Sequence, residues 1–210
     1  MSLMILSNRI NEIGRSMVAC NYCCPRVALD PHKGILPRCL ISEIEGRDDG
    51  RGSIIVGMNP GRSKEPERKF YRDNGQTYEQ VIAYWTDHIG YRHKYYRQLR
   101  ALVTELGLRG PILWTELAKC ESEGTVPVQD LLPAFRTCTQ SYLQKELQAA
   151  PHDWPLIGVG NESYKALAYI FTGRIVMGVP HPTGSYGHYS SLFDTRGRLL
   201  PRVKSRTKDI

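Results

Sequence analysis

No stretch of this 210-residue chain approaches the roughly 18 consecutive apolar residues that a membrane-spanning helix requires. The opening residues, Met1-Ser2-Leu3-Met4-Ile5-Leu6-Ser7-Asn8-Arg9-Ile10, carry neither a long apolar run nor a small-residue cleavage site, so no export signal is read and a cytoplasmic protein without a membrane partner is expected. The P-loop, the G-x-S-x-G nucleophile elbow and the dinucleotide fingerprint are also missing, which argues against a nucleotide cofactor and against a small α/β hydrolase. Acidic residues are in short supply, 21 Asp and Glu against 28 Lys and Arg for a net charge of +7. The excess is partly local, because Arg196, Arg198, Arg202, Lys204, Arg206 and Lys208 crowd positions 196–210. Such a balance favours a polyanionic partner such as nucleic acid, since neutralising phosphates releases counterions.

What is present fits one compact domain over 1–210 with a basic tail from about 196, at 41% hydrophobic content, and a monomer is expected. Leu3, Ile5, Leu6, Ile10, Ile13 and Met17 recur at helical spacing over 3–18. From Ser53 the run Ser-Ile-Ile-Val-Gly-Met is short, β-branched and apolar, as a strand buried on both faces should be. Similar runs recur at 111–114, 155–159 and 174–179, separated by helical stretches at 77–89, 92–106, 127–149 and 161–171. The alternation predicts an α/β fold: three α/β/α layers around a central four-stranded parallel sheet.

A polar residue follows each strand run: Asn59, Glu116, Asn161 and His181. Ligands of open α/β sheets bind beyond the carboxyl ends of the strands, so these four should converge on one rim.

The six cysteines are grouped. Cys20 and Cys23 form a C-x-x-C beyond the first helix, Cys120 closes Thr115-Glu116-Leu117-Ala118-Lys119-Cys120, and Cys138 falls inside the following helix. In a reducing compartment such thiols are metal ligands or buried side chains more often than disulfides. Thiolates suit iron–sulfur clusters and zinc equally, so spacing does not name the metal. Cys24 and Cys39 are alternatives for the N-terminal pair.

The stretch Gly57-Met58-Asn59-Pro60-Gly61 after a buried strand resembles the first signature motif of the uracil-DNA glycosylase superfamily, in the form of its mismatch-specific and single-strand-selective branches. Val179-Pro180-His181-Pro182-Thr183-Gly184-Ser185, after the last strand, resembles the second motif. The cysteine pattern resembles the iron–sulfur branch, whose Lys-Cys after the second strand and Cys in the next helix complete the cluster. The resemblance spans roughly residues 18–195 and is carried by these short motifs.

The resemblance implies a monofunctional DNA base-excision glycosylase that hydrolyses the N-glycosidic bond of a flipped, damaged or deaminated base. It implies a 4Fe–4S cluster held by Cys20, Cys23, Cys120 and Cys138, with zinc as the fallback. His181 would donate to the base as it leaves as an anion, and Asn59 would orient the attacking water. Gly57, Met58, Phe70, Tyr71 and Glu116 would form the base pocket, with Phe70 preferred as its aromatic floor. Gly61, Ser63, Thr183, Gly184, Ser185 and Tyr186 would contact DNA, Tyr186 as the wedge. A non-catalytic or crosslinking DNA-binding member of the same superfamily is the alternative.

Glu116 departs from the pattern, because iron–sulfur relatives place an Asn three residues before the Lys. An ionised carboxylate about 4 Å from a departing anion opposes the reaction by roughly 4 kcal/mol at an effective dielectric near 20. Glu116 is therefore either protonated, or turned away, or matched to a base richer in donors than uracil, and the last two are the readings favoured by sequence.

Overall fold

The computed structural model describes residues 3–48, 50–184, 188–201 and 203. Helix α1 (Leu3–Val18) buries Leu6, Ile10, Gly14 and Met17, the stripe that the i, i+4, i+7 pattern demands. Gly14 is there for contact: a Cβ would stand 2.3 Å from the ring of Tyr78, whose hydroxyl donates to the Leu40 carbonyl at 2.8 Å. Next come β1 (Val27–Ala28), β2 (Ile41–Glu43), β3 (Ser53–Gly57), α2 (Glu65–Asn74) and α3 (Tyr78–Tyr84). They are followed by α4 (Lys94–Glu105), β4 (Ile112–Glu116), β5 (Glu121–Ser122), α5 (Val128–Cys138) and α6 (Gln144–Ala149), then β6 (Leu156–Val159), α7 (Asn161–Ile170) and β7 (Val176–Val179). A π-turn at Trp85–Gly90 prolongs α3, and another at Thr139–Leu143 joins α5 to α6. The helices expected at 77–89 and 127–149 are these continuous runs.

The sheet order is β2-β4-β3-β6-β7. The four strands expected from sequence, β3, β4, β6 and β7, all pair in parallel. The expectation of a four-stranded, wholly parallel sheet needs correction, however, because β2 adds a fifth strand antiparallel to β4. Ile-Ser-Glu is too short and too polar to announce a strand. It is held by its last residue, Glu43, which takes Arg100 in a forked ion pair at 2.7–2.9 Å and the indole N–H of Trp114 at 2.9 Å. Helix α2 was likewise unforeseen: it buries only Glu67 and Tyr71, one residue per turn and no apolar stripe.

Alternate residues of each strand face opposite layers. Ile54, Val56, Leu113 and Leu156 pack with Leu6, Ile10, Leu131, Phe135, Leu147 and Leu167 from α1, α5, α6 and α7. Ile55, Ile112, Trp114, Ile157 and Val159 pack with Trp85, Leu99, Leu102 and Val103 on the other face. Helices thus cover both faces of a mixed α/β sheet. Truncating one such Leu or Ile to Ala costs about 2–5 kcal/mol. Among the described residues no helix is long and apolar enough to cross a membrane.

Candidate functional site

A cavity of about 570 Å³ opens at the carboxyl ends of β3 and β4 and the residues after β7, the place where open α/β sheets take ligands and a size usual for small-molecule sites. Gly57, Met58, Asn59, Gly61, Glu116, His181 and Thr183 line it together. Three of the four strand-end side chains therefore converge. Asn161 does not line it: Gly160, at φ +83°, turns the chain straight into α7, and Asn161 becomes the exposed first residue of that helix.

The first two strand ends are locked together. Gly57 and Glu116 are paired across β3 and β4, and the pairing continues as Leu117 and Ala118 donate to the carbonyls of Gly57 and Met58 at 2.9 and 3.0 Å. The Glu116 side chain folds over Gly57, where a Cβ would stand 2.0 Å from Oε2. Glu116 does not turn away: it lines the cavity while only 8% exposed. Burial raises its pKa to about 8, against the pull of Lys119 and Arg38.

Lys119 is fully buried and is spent elsewhere. Its Nζ lies 2.9 Å from both carboxylate oxygens of Glu146, with Thr115 Oγ1 at 2.5 Å and the Glu116 carbonyl at 2.8 Å. Breaking such a buried pair by removing one partner costs about 3–5 kcal/mol. Arg38, in the loop before β2, is a buried cation that does line the cavity. Its Nε pairs with Glu67 at 3.1 Å, and its Nη2 pairs with Glu121 at 2.9 Å and donates to the Gly61 carbonyl. Burial works against its charge, but Glu67 and Glu121 outweigh it and hold the guanidinium firmly protonated.

His181 is half-buried and tilted against Tyr95, ring centroids 5.2 Å apart. The Thr183 backbone N–H donates to His181 Nδ1 at 3.2 Å, and the Thr183 hydroxyl lies 3.3 Å from the same atom. An Nδ1 that accepts leaves the neutral ring's proton on Nε2. Burial first, and His93 second, depress the His181 pKa below its usual value, so the ring is a neutral N–H donor at physiological pH. Gly184 does not line the cavity but crowds this ring, since a Cβ there would stand 3.2 Å from Nδ1. Asn59 donates from Nδ2 to the Pro60 carbonyl at 3.3 Å, which leaves Oδ1 as its acceptor.

Several expected residues stand elsewhere. Phe70 does not line the cavity; it packs edge-on against Tyr71 and tilted against Tyr84, centroids 5.8 and 5.2 Å away. Tyr71, on the next position of α2, lines the cavity instead and its hydroxyl donates to Glu67 at 3.4 Å. Ser63 is buried and consumed: its N–H donates to Glu121 at 2.6 Å and its hydroxyl accepts from Arg68 at 2.8 Å, so it does not face the cavity. Ser185, Tyr186 and Gly187 lie outside the described residues, as do Arg202, Lys204, Arg206 and Lys208 of the tail. Sequence reasoning missed Arg38, Cys39, Tyr84, Tyr95 and Tyr96, all cavity-lining. The Tyr95-Tyr96 pair could have been found, because it opens a helix just after His93, which caps it by accepting from Tyr95 N–H. Burial raises both phenols well above their usual value, so they stay neutral.

The cysteines divide into two places. Cys20, Cys24, Cys120 and Cys138 pack into one apolar cluster on the α1 and α5 side of the sheet. Burial and the neighbouring thiols Cys138, Cys20 and Cys24 push Cys120 up to about 12, and Cys24 and Cys138 are raised in the same way. Cys23 is exposed and, unlike Cys20 and Cys24, is not among the residues packed against this cluster. Cys39 faces the cavity beside Arg38 and Glu116 and belongs to neither pair. Among the described residues no three His, Cys, Asp or Glu side chains are grouped so as to hold a metal ion. Cys20, Cys24, Cys120 and Cys138 are the thiols that this apolar cluster gathers on one side of the sheet.

No family model matches the chain, and no curated protein matches it.

Proposed function

We propose that the cavity is the base pocket of a DNA glycosylase of the uracil-DNA glycosylase type. The observation that carries this reading is the meeting of Asn59, Glu116 and His181 in one aromatic-walled cavity at the strand ends. In the reaction, water attacks the sugar carbon, the carbon–nitrogen bond breaks, the bonding electrons leave with the base, and the water's extra proton passes by way of solvent to the departed base anion. Two groups fit the two demands. The neutral Nε2–H of His181 donates to the oxygen on which the negative charge collects, an interaction whose loss costs about a hundredfold to a thousandfold in rate. Asn59 Oδ1 accepts from the attacking water and aims it; an amide is a weak base, so the chemistry is slow. Tyr71 and Tyr84 line the cavity and would wall an extruded base. Cys20, Cys24, Cys120 and Cys138 would hold a 4Fe–4S cluster, which when bound ties the loop after α1 to β5 and α5 and takes no part in bond cleavage.

The test is a panel of single- and double-stranded oligonucleotides carrying uracil, hypoxanthine or xanthine, scored for abasic sites. Release of a base that is lost in His181→Ala supports the reading. Salt-sensitive DNA binding without release, or a covalent protein–DNA adduct, supports the non-catalytic or crosslinking alternative.

A further inference from the structure

We propose that Glu116 is the specificity-determining residue of the cavity and that it works as a neutral acid, meeting the ligand through Oε1, the oxygen that Gly57 leaves open. The geometry carries this. Glu116 stands at the end of β4, lines the cavity and is more than nine-tenths buried. Oε2 is sealed against Gly57 and, among the described residues, has no hydrogen-bond partner. A buried carboxylate survives as an anion only with a cation or several donors around it. The two cations nearest to it face other partners: Lys119 meets Glu146, and Arg38 meets Glu67 and Glu121. The remaining groups around it, Cys39 from the loop before β2 and Tyr95 and Tyr96 from α4, are all pushed toward their neutral, protonated forms. The pKa of about 8 agrees.

A protonated carboxyl presents a hydroxyl donor at its open oxygen when that oxygen holds the proton. Its complement is a ring carbonyl. Losing the proton removes the donor and sets a negative charge beside a base that departs as an anion, so one titration controls both recognition and rate. Cytosine- or adenine-type edges place an amino group where that carbonyl stands and need the proton on the sealed oxygen instead. The proton can sit on either oxygen, so discrimination against them is weaker than a fixed amide gives. The identity of the ligand as a nucleobase rests on the glycosylase reading; the protonation state of Glu116 does not.

Two measurements separate the two. Difference infrared spectra of the full-length protein, taken as pH is raised through about 8, should show a protonated carboxyl carbonyl band that disappears and is missing in Glu116→Gln. Uracil release by the wild type should fall about tenfold for each pH unit above that point, while release by Glu116→Gln, which is neutral at every pH, shows no such limb. Absence of the band would overturn the proposal whatever the activity. So would wild-type release that rises through the same range, the mark of an ionised carboxylate reading a donor-rich edge. If the band is present but no base is released at any pH, the glycosylase reading fails and the neutral acid stands.

Discussion

The carboxylate of Glu116 occupies the space that a side chain at Gly57 would need, with Oε2 2.0 Å from the position of a Cβ. The first motif and the end of the second strand are thus a single fitted unit. Gly57 has no need of unusual backbone freedom; it is glycine because Glu116 lies on it. Gly57→Ala should push the carboxyl out of place, costing about 1–3 kcal/mol of stability and at least tenfold in base release. Urea unfolding checks the first. In the double variant Gly57→Ala, Glu116→Ala the stability cost should shrink, because the colliding group is gone.

The same burial gives Glu116 a signature in stability. The native state holds the proton up to about 8, whereas the unfolded chain releases it near 4.5. Between those values the native state binds more protons, so stability falls as pH rises through the window and levels off above it. The difference between the wild type and Glu116→Gln, followed by urea unfolding across that range, should change by a few kcal/mol in this direction. Parallel curves would mean that Glu116 is ionised in the native state.

His181 predicts the opposite limb. Its donor works only while the ring is neutral, and burial with His93 holds its pKa below the usual 6.5, so base release should persist into mildly acidic solution and fall below that. His93→Asn keeps a side chain able to cap α4 and removes the imidazole that opposes protonation of His181. The acid limb should then move to higher pH, with the rate above it little changed. A limb that stays in place would separate His93 from His181.

Much of this was legible in the chain. The four parallel strands show as β-branched apolar runs, because burial on both faces leaves no alternation to obscure them. Asn59, Glu116 and His181 were placed by the rule that ligands bind at strand ends. What escaped was held by partners distant in sequence. Strand β2 depends on Glu43 finding Arg100 and Trp114, and Arg38 reaches the cavity because Glu67 and Glu121 hold it there. Local pattern carries neither fact. Phe70 and Tyr71 are adjacent, and only the direction of α2 decides that Tyr71 faces the cavity. Ser63 is a polar loop residue whose hydrogen bonds are already taken by Glu121 and Arg68.

The cysteine assignment is open to direct test. Cys24→Ser should lower iron or zinc content and thermal stability of anaerobically purified protein, and Cys23→Ser should leave both unchanged. Equal losses in the two variants would return Cys23 to the ligand set.

The most direct test of the whole account is base release by the purified protein from an oligonucleotide carrying a single uracil. The account predicts slow formation of an abasic site below pH about 8, reduced about a hundredfold or more in His181→Ala with the fold intact. Tight, salt-dependent DNA binding with no abasic site from uracil, hypoxanthine or xanthine would contradict it.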